Sequence, residues 1–199
     1  LDDPAFDPTY GGRTSLNYLL SLPGVDADRI GLMGHSLGAE MVYNMALKNP
    51  AVKALVISGF AYRADASARL PKNMLMIFGK YDEFRKRMTG TRDFETEWMQ
   101  TPQTRNAFGV QNPKIDTTYG NFETGTARRV FMPHITHLQQ SHSKAAVAEA
   151  LDWMNRALQP GRENWIPSDR QIWQLKEWST LAAMLAGFAA LLPLGLMLL

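Results

Sequence analysis

The sequence predicts an α/β fold, a mostly parallel sheet with flanking helices, followed by one C-terminal transmembrane helix. Three observations carry this. Short apolar runs recur at Ile30 to Met33, Val52 to Ile57 and Met74 to Phe78, each closing on a glycine-bearing turn, and Arg128 to Met132 adds a fourth. Stretches with helical spacing lie between or after them. A final run from Ser179 to Leu199 holds 21 residues without a charge.

In chain order, residues 1–12 are rich in proline, aspartate and glycine and read as a loop. Arg13 to Leu22 places Leu16, Leu19, Leu20 and Leu22 at helical spacing, and Pro23-Gly24 stops that helix. After the first strand a helix runs from Leu37 to Lys48, with Met41, Val42 and Met45 three to four apart and Asn49-Pro50 ending it. Tyr62 to Lys72 is a polar link. Glu83 to Met99 has helical character interrupted at Thr89-Gly90-Thr91. Residues 101–126 are turn-rich and unassigned, with Tyr119 to Phe122 as a small hairpin or an insertion over a pocket. Pro133 to Ser141 reads as a loop, and Ser143 to Leu158 as a helix with Ala146, Ala150, Trp153, Met154 and Leu158 on one face.

The apolar run is long enough to cross a bilayer: at about 1.5 Å per residue it spans roughly 31 Å, close to the ~30 Å hydrocarbon thickness. Trp165, Trp173 and Trp178 suit an interfacial belt and Lys176 a headgroup anchor, while Pro193 is tolerated better in a membrane span than in a soluble helix. The expected organisation is an α/β domain over 1–158, a polar juxtamembrane linker over 159–178 and the transmembrane span over 179–199. Arg162, Arg170 and Lys176 lean the domain towards the cytoplasmic side, although Glu163, Asp169 and Glu177 are interspersed.

With 45% hydrophobic and 20% charged residues the composition is globular, and a net charge of +2 gives no footprint for nucleic acid. The absence of cysteine excludes disulfides, thiolate zinc and a cysteine nucleophile. The four histidines show no zinc-helix spacing, so neither a metal nor a cofactor is expected. The chain begins without methionine at Leu1-Asp2-Asp3-Pro4 and stops inside the apolar run, so both ends read as cut.

The stretch that organises the rest is Gly34-His35-Ser36-Leu37-Gly38, between a strand and a helix. A serine at the tip of such a turn sits in a strained backbone conformation, and glycines two residues either side give it room. The helix that follows aims free N–H groups at any anion formed there. A serine hydroxyl needs a base, and the base needs an acid to hold its tautomer. Asp82, on the glycine-containing turn after the third strand, falls at the carboxyl edge of the same sheet. Asp65 is a weaker alternative, and Glu83 and Asp93 read as solvated. His134, His137 and His142 all fall between the last strand and the last helix; the centre of that loop favours His137. His35 reads as a residue that shapes the turn.

The order Gly34-His35-Ser36-Leu37-Gly38, then Gly79-Lys80-Tyr81-Asp82, then His137 resembles the α/β-hydrolase superfamily, and within it the esterase and dienelactone-hydrolase-like branches. The likeness covers about residues 13–158. It implies an α/β-hydrolase-type sheet, a nucleophile at Ser36, an acid at Asp82, a base at His137 and an oxyanion donor in the Leu37 backbone N–H. It also implies a second oxyanion donor from an early loop. Only 28 residues precede Arg29, so the chain is expected to be a C-terminal part lacking early strands. The implied activity is a membrane-anchored serine hydrolase acting on a small-molecule ester or acyl substrate, with the lipid bilayer as its other partner. A peptidase of the same fold and a non-catalytic domain of a transport or scaffold protein are the alternatives.

Overall fold

A computed structural model of the chain describes residues 7–161, 163, 165 and 167–197. Part of the loop expected over 1–12, the basic residue Arg162 and the last two positions of the apolar run lie outside the described residues. Contacts divide the chain into two units, the first ending at Trp165 and the second beginning at Ile166.

The first unit is an α/β layer structure. Its strands are β1 (Ile30–His35), β2 (Val52–Ser58), β3 (Met74–Ile77) and β4 (Arg128–Phe131). They form one sheet in the order β1-β2-β3-β4, and every pairing is parallel. The register aligns His35 with Ser58, Ser58 with Ile77 and Ile77 with Phe131, so the carboxyl ends of all four strands finish in one row.

Around the sheet lie α1 (Gly12–Ser21), α2 (Leu37–Lys48), α3 (Arg85–Thr89), α4 (Pro102–Phe108) and α5 (Lys144–Leu158). The continuous apolar runs of β2 and β3 are explained by burial on both faces, whereas the edge strand β1 leaves Met33 exposed. Leu55, Ile57, Met74 and Met76 point to the face covered by Val42, Tyr43 and Met45 of α2, with Phe78, Trp98 and Phe108 extending that core. Their alternating neighbours Val56, Leu75 and Ile77 face Ala146, Ala150 and Trp153 of α5.

Several local features depart from the sequence reading. Within 101–126 the structure forms α4, whose signals are short but complete. The Thr101 hydroxyl caps it by accepting from the Thr104 N–H, Pro102 opens it, and Gly109 closes it in the left-handed region. The Tyr119 to Phe122 segment takes the small-hairpin form of the two expected: Tyr119 makes one antiparallel bridge with Arg128, and Phe122 packs edge-on against Trp153. The 133–141 loop tightens into a 3-10 turn at Leu138–His142.

Arg128 is fully buried in β4 and holds three carbonyls, donating from Nε to Ala107, from Nη1 to Ala127 and from Nη2 to Ser67. Burial pulls its pKa down to about 10, which still leaves it charged at neutral pH. It ties the α4 region and the 59–73 connection to the sheet.

The second unit contains α6 (Trp173–Met197), 25 residues, beginning before the charge-free run and carrying Pro193 within it. None of its residues is buried, and by length and composition it is a helix that could cross a membrane.

Replacing Arg128 by leucine removes three hydrogen bonds and takes this donor from the Ala107 and Ser67 carbonyls, while the Ala127 carbonyl keeps the Met74 N–H. Arg128→Leu is therefore expected to lower unfolding stability by about 3 kcal/mol. Urea denaturation of the full chain in neutral detergent micelles, followed by tryptophan fluorescence, checks this; an unchanged midpoint would show that the buried network contributes nothing net.

Candidate active site

The turn after β1 holds Ser36 at φ 54°, ψ −120°, a strained conformation for a residue with a side chain. Its backbone N–H donates to the Ser58 carbonyl at 2.8 Å, which fixes the turn to the end of β2. The two flanking glycines have different roles. A Cβ at Gly34 would lie 2.3 Å from the Gly38 carbonyl oxygen, whereas a Cβ at Gly38 would meet nothing within 4 Å. The first is demanded by the close approach of the turn, and the second, against the sequence reading, is not needed for room.

Ser36 is the residue from which α2 starts, and its carbonyl accepts from the Ala39 and Glu40 N–H groups. The Leu37 and Gly38 N–H groups bond to no acceptor among the described residues and lie at the positive end of the helix. The Ser36 hydroxyl likewise makes no hydrogen bond to a described residue.

Asp82 sits on the turn after β3, with its side chain buried. Oδ1 accepts from the Phe84 N–H at 2.8 Å, the cap-like contact expected of it. Oδ2 accepts from His137 Nδ1 at 2.8 Å and from Gln140 Nε2 at 2.6 Å. A carboxylate on Nδ1 sets the tautomer that leaves Nε2 unprotonated in the neutral ring. Of the three loop histidines only His137 reaches Asp82; the His134 ring lies 5.8 Å from Tyr81, and His142 is exposed at the end of the 3-10 turn.

His137 is gripped at more points than its ring nitrogen. Its N–H donates to Glu83 Oε2 at 3.1 Å and its carbonyl accepts from His35 Nε2 at 3.0 Å. The ring packs 4.7 Å from that of His35 and edge-on, 4.9 Å, from Phe84. Burial lowers the His35 pKa, favouring a neutral imidazole whose Nε2–H serves as the donor. Hydrogen bonds from its own N–H and then from the His137 N–H hold the Glu83 carboxyl below its usual range. Glu83 is exposed, as a solvated residue should be, yet it anchors His137.

Glycines make this crowding feasible. Gly59, at φ +61° just past β2, has its Cβ position 2.7 Å from His137 Cε1 and 3.1 Å from His35 Nε2. Gly79, just past β3, has its Cβ position 2.3 Å from the Ile135 carbonyl oxygen. The Ser36 N–H and the His137 ring thus meet the same two-residue end of β2, Ser58-Gly59.

The other acids fall elsewhere. Asp65 accepts from the Tyr43 hydroxyl at 2.5 Å, and Asp93 caps the Thr96 N–H at 2.7 Å. Gln140 is the buried residue that sequence reasoning missed: it donates to Asp82 and accepts from the Ser58 hydroxyl at 3.3 Å. A glutamine inside an irregular loop has no periodicity or motif to reveal it. Among the described residues no cluster of histidine and acidic side chains could hold a metal ion.

A cleft of about 330 Å³ opens at the turn, lined by Ser36, Leu37, Phe60, Arg63, Phe84 and Arg87 among others. Apolar walls with a few polar groups are the usual make-up of a small-molecule site.

A parallel sheet with flanking helices and a strained serine turn at its carboxyl edge defines a protein of the α/β-hydrolase type. Residues 13–115 match the family described as "BAAT / Acyl-CoA thioester hydrolase C terminal", and the chain belongs to that family. The matched segment contains Ser36 and Asp82 and ends before His137. A comparison with curated proteins finds no match.

Because Gly59 lies against His137, Gly59→Ala adds a methyl group that must displace the imidazole and also strains the backbone. It is expected to slow labelling of the chain by a fluorophosphonate at least about 100-fold, the scale on which small misplacements act. Labelling at the wild-type rate would show that this contact does not set the ring position.

Proposed function

We propose that the chain is a membrane-anchored serine hydrolase that cleaves carboxylic esters or thioesters through an acyl-enzyme on Ser36. The observation that carries this reading is the 2.8 Å contact between His137 Nδ1 and buried Asp82 past the end of β3, with the His137 ring against Gly59 beside Ser58, the residue to which the Ser36 N–H is bonded. The family's printed description adds acyl thioesters to the ester substrates expected from the sequence.

In the proposed reaction His137 Nε2 takes the Ser36 hydroxyl proton as Oγ attacks the substrate carbonyl. Asp82 keeps the imidazole in register and balances the imidazolium that forms. The tetrahedral oxyanion is received by the Leu37 N–H at the start of α2; one such donor is worth about 3 to 4 kcal/mol. As the carbonyl re-forms, His137 returns the proton to the departing alkoxide or thiolate, leaving acyl-Ser36. Water, deprotonated by His137, then attacks the acyl group and releases the acid with the serine restored.

Ser36→Ala is expected to abolish fluorophosphonate labelling and to lower hydrolysis of a p-nitrophenyl ester or a thioester by at least about 10⁴-fold. Asp82→Asn and His137→Ala should fall to a comparable floor. Labelling that survives in Ser36→Ala would overturn the assignment and favour a non-catalytic domain.

The proposed anchor is α6, with the polar segment 159–172 leading into it. A single span of this length should stay in the membrane pellet through alkaline carbonate extraction. Release of the full chain into the supernatant would remove the anchor from the proposal.

A further inference from the structure

We propose that Gln140 is a positioning residue of this site: it fixes the Asp82 carboxyl so that one oxygen stays turned to His137, and it ties that acid to the strand end that holds Ser36. The inference rests on the reading of Ser36 as nucleophile and His137 as base. Leu138–His142 is a 3-10 turn that starts directly after His137. With three residues per turn, side chains three apart stand on the same side, so His137 and Gln140 both reach Asp82 from one turn of chain. The backbone closes the same step, the Gln140 N–H donating to the His137 carbonyl at 3.3 Å. Gly79 leaves the amide its place, since a Cβ there would lie 3.3 Å from Gln140 Nε2.

The chemistry of the amide decides which way it faces. A carboxylate only accepts, so Nε2 must meet Asp82, and Oε1 is left to accept from the Ser58 hydroxyl at 3.3 Å. Asp82 Oδ2 then takes two donors, Gln140 at 2.6 Å and His137 at 2.8 Å, while Oδ1 takes the Phe84 N–H. Three donors on two oxygens fix the plane of the carboxyl. The Asp82 side chain is fully buried and Gln140 is 2% exposed, so water has no open face from which to replace the amide. A neutral donor suits the place. A lysine or arginine would cancel the negative charge that the imidazolium needs, whereas an amide supports the carboxylate and leaves its charge intact. At its other end the amide takes Ser58, whose carbonyl accepts the Ser36 N–H, so acid and nucleophile are both tied to one residue of β2.

The test uses the full chain in neutral detergent micelles. Gln140→Met keeps the length and bulk of the side chain but removes both hydrogen bonds of its amide. It is expected to slow fluorophosphonate labelling about 30-fold and to lower kcat for a p-nitrophenyl ester by a similar factor with KM unchanged, as a misaligned acid and base should. Ser58→Ala frees only the far end of the amide and should cost about threefold in the same two rates. Arg128→Leu, at the end of β4 away from this edge, controls for a loosened fold and should label at the wild-type rate. Labelling of Gln140→Met or Ser58→Ala at the wild-type rate, a loss carried by KM instead of kcat, or an equal loss in Arg128→Leu would each overturn the inference. Should Gln140→Met fail to fold, Ser58→Ala decides alone. A wild-type chain that fluorophosphonate does not label overturns the hydrolase reading and this inference together, whereas a labelled wild type with an unaffected Gln140→Met overturns this inference only.

Discussion

The alignment of four parallel strand ends in a single row is the constraint on which the rest depends. His35, Ser58, Ile77 and Phe131 are level, so the chain leaving each strand must turn within the same thin layer. There is no room in that layer for side chains at every position. Gly34, Gly59 and Gly79 occupy three places at this edge where backbone or imidazole passes within 3 Å of where a Cβ would be. The 133–137 segment can cross the ends of β2 and β3 only because these positions are bare. The crowding brings Ser36, Asp82 and His137, far apart in sequence, to one edge.

Much of this was legible from residue order because it rests on features that leave a sequence signal. A strand buried on both faces must be continuously apolar, and the runs around Leu55 and Leu75 are. The serine turn announces itself through Gly34, and Asp82 through its distance past a strand end. Other parts leave no such trace. The α4 helix is seven residues long, too short for an amphipathic period, and only its Thr101, Pro102 and Gly109 punctuation marks it. Gln140 and Glu83 act through side-chain hydrogen bonds made across long sequence separations. Arg128 is visible in the sequence only as a strand residue, and its role shows once the distant Ala107 and Ser67 carbonyls are brought to it beside the adjacent Ala127 carbonyl. Pattern reveals what must repeat, and tertiary hydrogen bonding need not repeat.

The glycine comparison sharpens the motif itself. The two glycines of G-x-S-x-G look equivalent in sequence, but only Gly34 faces a backbone clash, with Gly38 as the group it must avoid. The intervening residue, His35, is more than a spacer, because its ring supports the segment that carries His137. The turn therefore presents the serine on one side and steadies the histidine on the other, from adjacent residues.

The way His137 is held bears on when its disorder is lost. Asp82 takes the ring, its neighbour Glu83 takes the N–H, and His35 takes the carbonyl, so side chain and peptide are immobilised by the folded framework itself. Freezing one backbone residue and an imidazole rotamer costs on the order of 1 to 3 kcal/mol. In this fold that entropy is given up when the chain folds, not when a ligand arrives. The position of the imidazole is thus set by the folded framework before any molecule enters the cleft.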